Sequence, residues 1–266
     1  MADERQIDIA PLLDAELERY PTETGIRLLT ENRDTLLSRL QDLLSDRLLI
    51  AAETGEAADE EALLREVVSD GVYTTVHCVS IQSDFCGDAI RALAIFNLSA
   101  RQYAQDLVKC VPADLVLAES PDEAKHLNQI DAILAFFPET MINSVRHVGM
   151  RRSGGDAVPY NITVQPFIAQ RTSTGAVLQI CIADNGPGFS DEALAKVGKK
   201  RFTTKPADGD WPSEMPIGGS GNHLFNMSRL AETMGWKLIC RNMGTIENAR
   251  GAAVILEIPL VKSAYN

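Results

Sequence analysis

The sequence predicts an α+β chain. A mainly helical region over residues 1–112 precedes an α/β sandwich over residues 113–266, a mixed sheet with helices on one face. Three observations predict it. Before Pro112 the apolar residues recur every three to four positions. After it, helical spacing alternates with two pairs of strand-like runs. Between those pairs, residues 186–221 are rich in glycine and lysine and have the composition of a long loop.

The elements follow in order. Ile9, Leu12, Leu13 and Leu17 give residues 7–20 a helical spacing that Pro21 stops. Leu36, Leu37, Leu40, Leu43, Leu44 and Leu48 make residues 35–52 an amphipathic helix. That stripe reads as ordinary core, since a dimer seam needs about 3–4 sustained heptads. An acidic loop over residues 54–59 leads to a helix near Glu60, and another covers residues 89–109. Residues 122–147 read as a helix with Pro138 inside it. Residues 161–169 and 177–183 read as strands joined by a turn, residues 224–234 as a helix, and residues 237–241 and 252–259 as the last strands.

Composition narrows the function classes. With 266 residues, 45% of them apolar and 23% charged, the chain can bury a sizeable core. No apolar run approaches the roughly 18 residues of a membrane span, and the N-terminus lacks the order of a secretory signal. Cys78, Cys86, Cys110, Cys181 and Cys240 are scattered without a CxxC pair. That argues against a zinc site or disulfide scaffold and predicts a cytoplasmic setting. Residues 1–70 hold 18 acidic side chains against 7 arginines and no lysine, so they carry −11 of the net −12. Such a surface repels phosphate backbones, and nucleic acid is not an expected partner.

Four segments after residue 130 carry chemistry. In Glu139-Thr-Met-Ile-Asn143-Ser-Val-Arg146-His147, Glu139 and Asn143 share a helix face. A carboxylate beside a carboxamide can orient water and ligate magnesium, with Arg146 and His147 one turn on to meet phosphate. The same spacing also suits a plain polar face. Asp184-Asn-Gly186-Pro-Gly188-Phe189 follows a buried strand. Its acid can accept an amino group from a flat ring while the glycines let the backbone approach, or it can simply turn the chain. Lys199-Lys200-Arg201-Phe202-Thr203-Thr204-Lys205 supplies cations and hydroxyls suited to a polyphosphate, or forms a solvated basic loop. Gly218-Gly219-Ser220-Gly221 opens a helix whose free amides suit an anion, or serves as a linker. There is neither a GxxxxGK[ST] loop nor a GxGxxG after a strand.

In order and spacing these segments resemble the GHKL superfamily of ATP-binding domains (gyrase, heat-shock chaperone, histidine kinase, MutL), and the histidine kinases most closely. Residues 139–147 resemble the N box, 184–188 the G1 box, 201–205 the F-box region, 219–221 the G2 box and 251–259 the closing strand. The likeness spans about residues 113–260 and implies a Bergerat-type sandwich that binds Mg-ATP. By that resemblance Asn143 holds Mg2+, and Glu139 positions or deprotonates the attacking group. Arg146 and His147 lie near phosphate, and Asp184 reads the adenine amino group above Gly186 and Gly188. Phe202, Thr204 and Lys205 belong to a lid, while Gly219 and Gly221 give amides to the phosphates.

The chain departs from that pattern twice. His223 stands where the G2 box carries a flexible glycine. Histidine kinases also place an acceptor histidine, followed by an acid, on a helix before the ATP domain. Here His77 is followed by Cys78, and both His77 and His126 read as structural. The resemblance implies a histidine-kinase-like enzyme that passes the γ-phosphoryl group of ATP to a protein, such as a response regulator, with a homodimer plausible by analogy. The alternatives are an ATP-hydrolysing clamp and a degenerate module that sequesters a partner.

Overall fold

The helical spacing at the N-terminus is realised as α1 (Ala10–Leu17), which begins with Pro11 in its first turn, where no amide need be paired. The leucine stripe becomes α2 (Arg33–Thr54). The next helix, α3 (Glu60–Val76), is capped by Asp59, whose carboxylate accepts the amides of Glu61 and Ala62 at 3.1 and 3.3 Å. Both α1 and α2 pack on α3. Leu13, Leu17, Leu36, Leu40, Leu44, Val68 and Val72 are all buried in this core, so most of the stripe is consumed within the chain, while Leu43 stays exposed. His77 closes α3 with its ring against Tyr73 and Tyr20, and its Nδ1 lies 2.9 Å from the Tyr73 carbonyl oxygen.

The computed structural model describes residues 9–20, 33–54, 59–153, 158–199, 222–243 and 251–264. The chain divides into two units, Met1–His77 with Cys110–Ala113, and Cys78–Lys109 with Asp114–Asn266. Residues 78–109, read from sequence with the helical region, thus lie in the second unit. The reason is a short strand, β1 (Val79–Ser83), whose hydrogen-bonding partner is some 80 residues downstream. It leads into α4 (Cys86–Lys109), which packs on α5 (Gln129–Ser153) through Phe96 and Phe137, ring centroids 5.5 Å apart.

The helix predicted over residues 122–147 begins later than expected, after a 3-10 turn at Asp122–Ala124. Asn128 sets the start: its Oδ1 accepts the amides of Ile130 at 2.8 Å and Asp131 at 3.4 Å. The helix continues through Pro138 to Ser153.

The remaining strands are β2 (Leu115–Leu117), β3 (Tyr160–Ala169), β4 (Gly175–Asp184), β5 (Lys237–Asn242) and β6 (Ala252–Lys262). With β1 they form one sheet in the order β1-β3-β4-β6-β2, and β5 also pairs with β6. The predicted α+β sandwich is present. Its described pairings are all antiparallel, where a mixed sheet was expected. The β4–helix–β5 order suggests a parallel pair, but β6 inserts between β4 and β5 and runs against both.

Strand alternation then builds two faces. Ile162, Val164, Leu178, Ile180, Ile182, Leu256, Ile258 and Leu260 are buried on one of them, with Phe136, Met141, Val145 and Val148 of α5 also in the core. Each such side chain contributes about 1.5–3 kcal/mol on burial. The opposite face carries a smaller cluster of Cys181, Ala253 and Ile255. Among the described residues two helices follow β4: α6 (Asp191–Lys196), capped by the Ser190 hydroxyl, and α7 (His223–Thr233), which packs on α5 and β5.

Candidate functional site

The polar face of α5 is organised by Arg146. Its Nη1 donates to Asn143 Oδ1 at 3.0 Å and lies 3.9 Å from a Glu139 carboxylate oxygen. Glu139, Asn143 and Arg146 therefore form one line along the helix. The Arg146 side chain is 8% exposed and that of Glu139 46%, so a fixed cation lies beneath an accessible carboxylate.

Asp184 ends β4 and is buried. Its Oδ1 accepts the Gly186 amide at 2.9 Å and the Ala252 amide at 3.4 Å, and the Ser144 hydroxyl donates to the same carboxylate. Burial raises its pKa above the usual carboxylate value, against those hydrogen bonds and the nearby His147. His147 faces this carboxylate and is pushed the other way. Burial lowers its pKa, opposed by the Asp184 charge and aided by that of Arg146.

The loop after Asp184 is shaped by two glycines. A Cβ on Gly186 would lie 2.9 Å from Asp184 Oδ1 and 3.2 Å from the backbone of His147 and Val148, so a side chain here would have to shift the carboxylate or push the loop from α5. Gly188 has φ +77°, a left-handed conformation that side chains resist. Farther on, Asn242 at the end of β5 binds both backbone groups of Phe189. Arg151 donates to the Asn185 carbonyl at 2.9 Å.

The fold therefore brings Asn143, Arg146, His147, Asp184 and Gly186 to one junction of α5 with the end of β4. Phe202, Thr204, Lys205, Gly219 and Gly221 lie outside the described residues. His223 is described: its Nε2 is 2.9 Å from the Thr140 hydroxyl, tying α7 to α5. His77 is buried, as expected. His126 is exposed in a turn rather than structural. Sequence reasoning missed Ser144, Asn242 and Thr140. A small polar residue flanked by core positions was the available signal for Ser144 and Thr140. Nothing local marks Asn242.

A family model described as histidine kinase-, DNA gyrase B-, and HSP90-like ATPase matches residues 129–262, half of the chain. The chain belongs to this family. The matched span of this ATPase domain begins with α5 and ends with β6, and so takes in both the Arg146 line and Asp184. No curated protein matches. Among solved structures, a mycobacterial sensor histidine kinase, MprB, aligns over 51% of this chain and 75% of its own at 15% identity, with a TM-score of 0.37.

Proposed function

We propose that this GHKL ATPase domain binds Mg-ATP at the junction of α5 and β4 and passes the γ-phosphoryl group to a protein. The observation that carries the reading is the buried Asp184 carboxylate, fixed by backbone amides beside the glycine-shaped loop. A desolvated acceptor at a fixed place suits an exocyclic amino group such as that of adenine.

The donor set on α5 suits the other end of the nucleotide. An amide oxygen has two lone pairs, and Arg146 engages one from Asn143. The second can ligate magnesium, which takes one or two protein ligands and leaves the rest to phosphate and water. When bound, the ion would neutralise charge that builds on the transferred group. Arg146 adds a buried positive charge on the same face, and Glu139 orients or deprotonates the attacking group. The lid roles of Phe202, Thr204 and Lys205, and the amide roles of Gly219 and Gly221, belong to the same reading.

The acceptor is read as a residue of a partner, such as a response regulator. His77 is stacked and buried, His147 and His223 are engaged within the ATPase domain, and His126, though exposed, lies in a turn rather than on a helix with an acid after it. A cytoplasmic setting and a homodimer belong to this proposal too. No helix among the described residues is long and apolar enough to cross a membrane.

Calorimetry with Mg-ATP tests binding, and γ-labelled ATP incubated with the chain and a candidate partner, followed by acid and base treatment of whichever protein is labelled, tests phosphoryl transfer and the type of residue that accepts it. The reading expects saturable binding that Asp184→Asn abolishes. Flat calorimetry would remove it.

A further inference from the structure

His223 opens α7, and the fold gives its imidazole a defined neighbour on another helix. Thr140 is 2% exposed, so its hydroxyl has lost water and requires a protein partner. Nε2 of His223 supplies it at 2.9 Å. The start of α7 also depends on contacts from outside: Asn222, its N-cap residue, has αR backbone angles and makes no side-chain capping bond. The residue before Thr140 is Glu139, whose charge reaches the same imidazole. Burial lowers the His223 pKa while Glu139 raises it, and burial prevails, so the ring is neutral at pH 7. Across the helix face, Arg146 lies 3.9 Å from Glu139, too far for a hydrogen bond. The carboxylate is therefore not pinned by its cation.

We propose that His223 is a positioning residue for Glu139: through Thr140 it holds the first turn of α7 against α5 and so sets the carboxylate that acts on the attacking group. The inference rests on the Mg-ATP reading above. It assigns His223 no contact with nucleotide. Its loss therefore acts on the chemical step more than on ATP binding, because a displaced Glu139 still leaves Asp184, Asn143 and Arg146 in place.

The test is steady-state hydrolysis of Mg-ATP by the full chain, in which water takes the place of the protein acceptor as the attacking group, with binding by calorimetry and thermal unfolding on the same samples. His223→Ala and Thr140→Val should each lower kcat about tenfold, the worth of one net hydrogen bond, with the Kd for Mg-ATP changed less than about threefold. The double variant should be no slower than the worse single variant, since the two residues act as one unit. His223→Gln and Thr140→Ser, which keep a polar partner, should recover most of the rate and guard against simple misfolding. Full kcat in His223→Ala, losses that multiply in the double variant, or equal losses of binding and turnover would overturn the proposal and leave the Mg-ATP reading standing. So would a wild type that binds Mg-ATP without turning it over. A wild type that binds no Mg-ATP defeats the ATP reading itself, and the positioning role with it.

Discussion

Asn242 holds Phe189 by both ends of one carboxamide: its Oδ1 accepts the Phe189 amide at 2.6 Å, and its Nδ2 donates to the Phe189 carbonyl at 2.9 Å. The residues are 53 apart in sequence. The pairing copies a rung of a β-ladder and fixes the far end of the loop that begins at Asp184.

Removing that grip should loosen the loop and weaken nucleotide binding. Asn242→Ala is expected to raise the Kd for Mg-ATP roughly tenfold, since two neutral hydrogen bonds contribute about 1–3 kcal/mol together. Asn242→Asp keeps the acceptor and loses the donor, so it should fall between. Calorimetric titration of the three proteins checks the order.

Asp184 sets stability against binding. Burial raises its folded pKa above that of the unfolded chain. A carboxyl shifted this way favours the fold at pH below its unfolded value, and the benefit is lost as pH rises through the folded value. Asp184→Asn removes that loss while its amide oxygen can still accept the Gly186 amide. The variant should unfold at an equal or higher urea concentration than wild type at pH 7, with any advantage shrinking towards pH 4. Its Mg-ATP binding should nonetheless be lost. A variant much less stable than wild type at pH 7 would contradict this.

At the other end of the sheet the sign reverses. Asp114 accepts Arg171 Nη1 and Lys262 Nζ, each at 2.7 Å. Burial would raise its pKa, but those cations outweigh it and hold the carboxyl below its ordinary value. Its contribution is present above the unfolded pKa and is lost as pH falls through the lowered folded one. Arg171→Met should cost roughly 1–2 kcal/mol at pH 7, towards the low end for charged hydrogen bonds because a third of the Asp114 side chain stays wetted. The gap from wild type should narrow below about pH 4, where an Asp carboxyl takes up its proton. Urea unfolding across pH measures it.

The start of α5 rests on Asn128. Asn128→Ala should destabilise the protein by about 1 kcal/mol, while Asn128→Asp, an equally good cap, should be close to neutral. Thermal unfolding of the two variants compares them directly.

The site was partly legible because its chemistry is locally encoded. Glu139, Asn143 and Arg146 fall on one face of α5 by helical period alone. Gly186 and Gly188 announce a tight loop after an apolar strand. Ser144 was illegible as a ligand of Asp184, because nothing within one helical turn shows what a buried hydroxyl will face. β1 was illegible as well. Five half-polar residues read as strand only once β3 is beside them.

Local patterning by itself determined the type of most helices and strands, though not every boundary and not β1, together with the order of the four motifs and the residue types available for an ATP site. These follow from backbone preferences and side-chain spacing over a few residues. Only the tertiary structure decided that β6 lies between β4 and β5, that residues 79–83 join the sheet, and that His223 meets Thr140 across 83 positions of chain. Those contacts are chosen by which apolar faces can be buried together, and that choice depends on the whole chain at once.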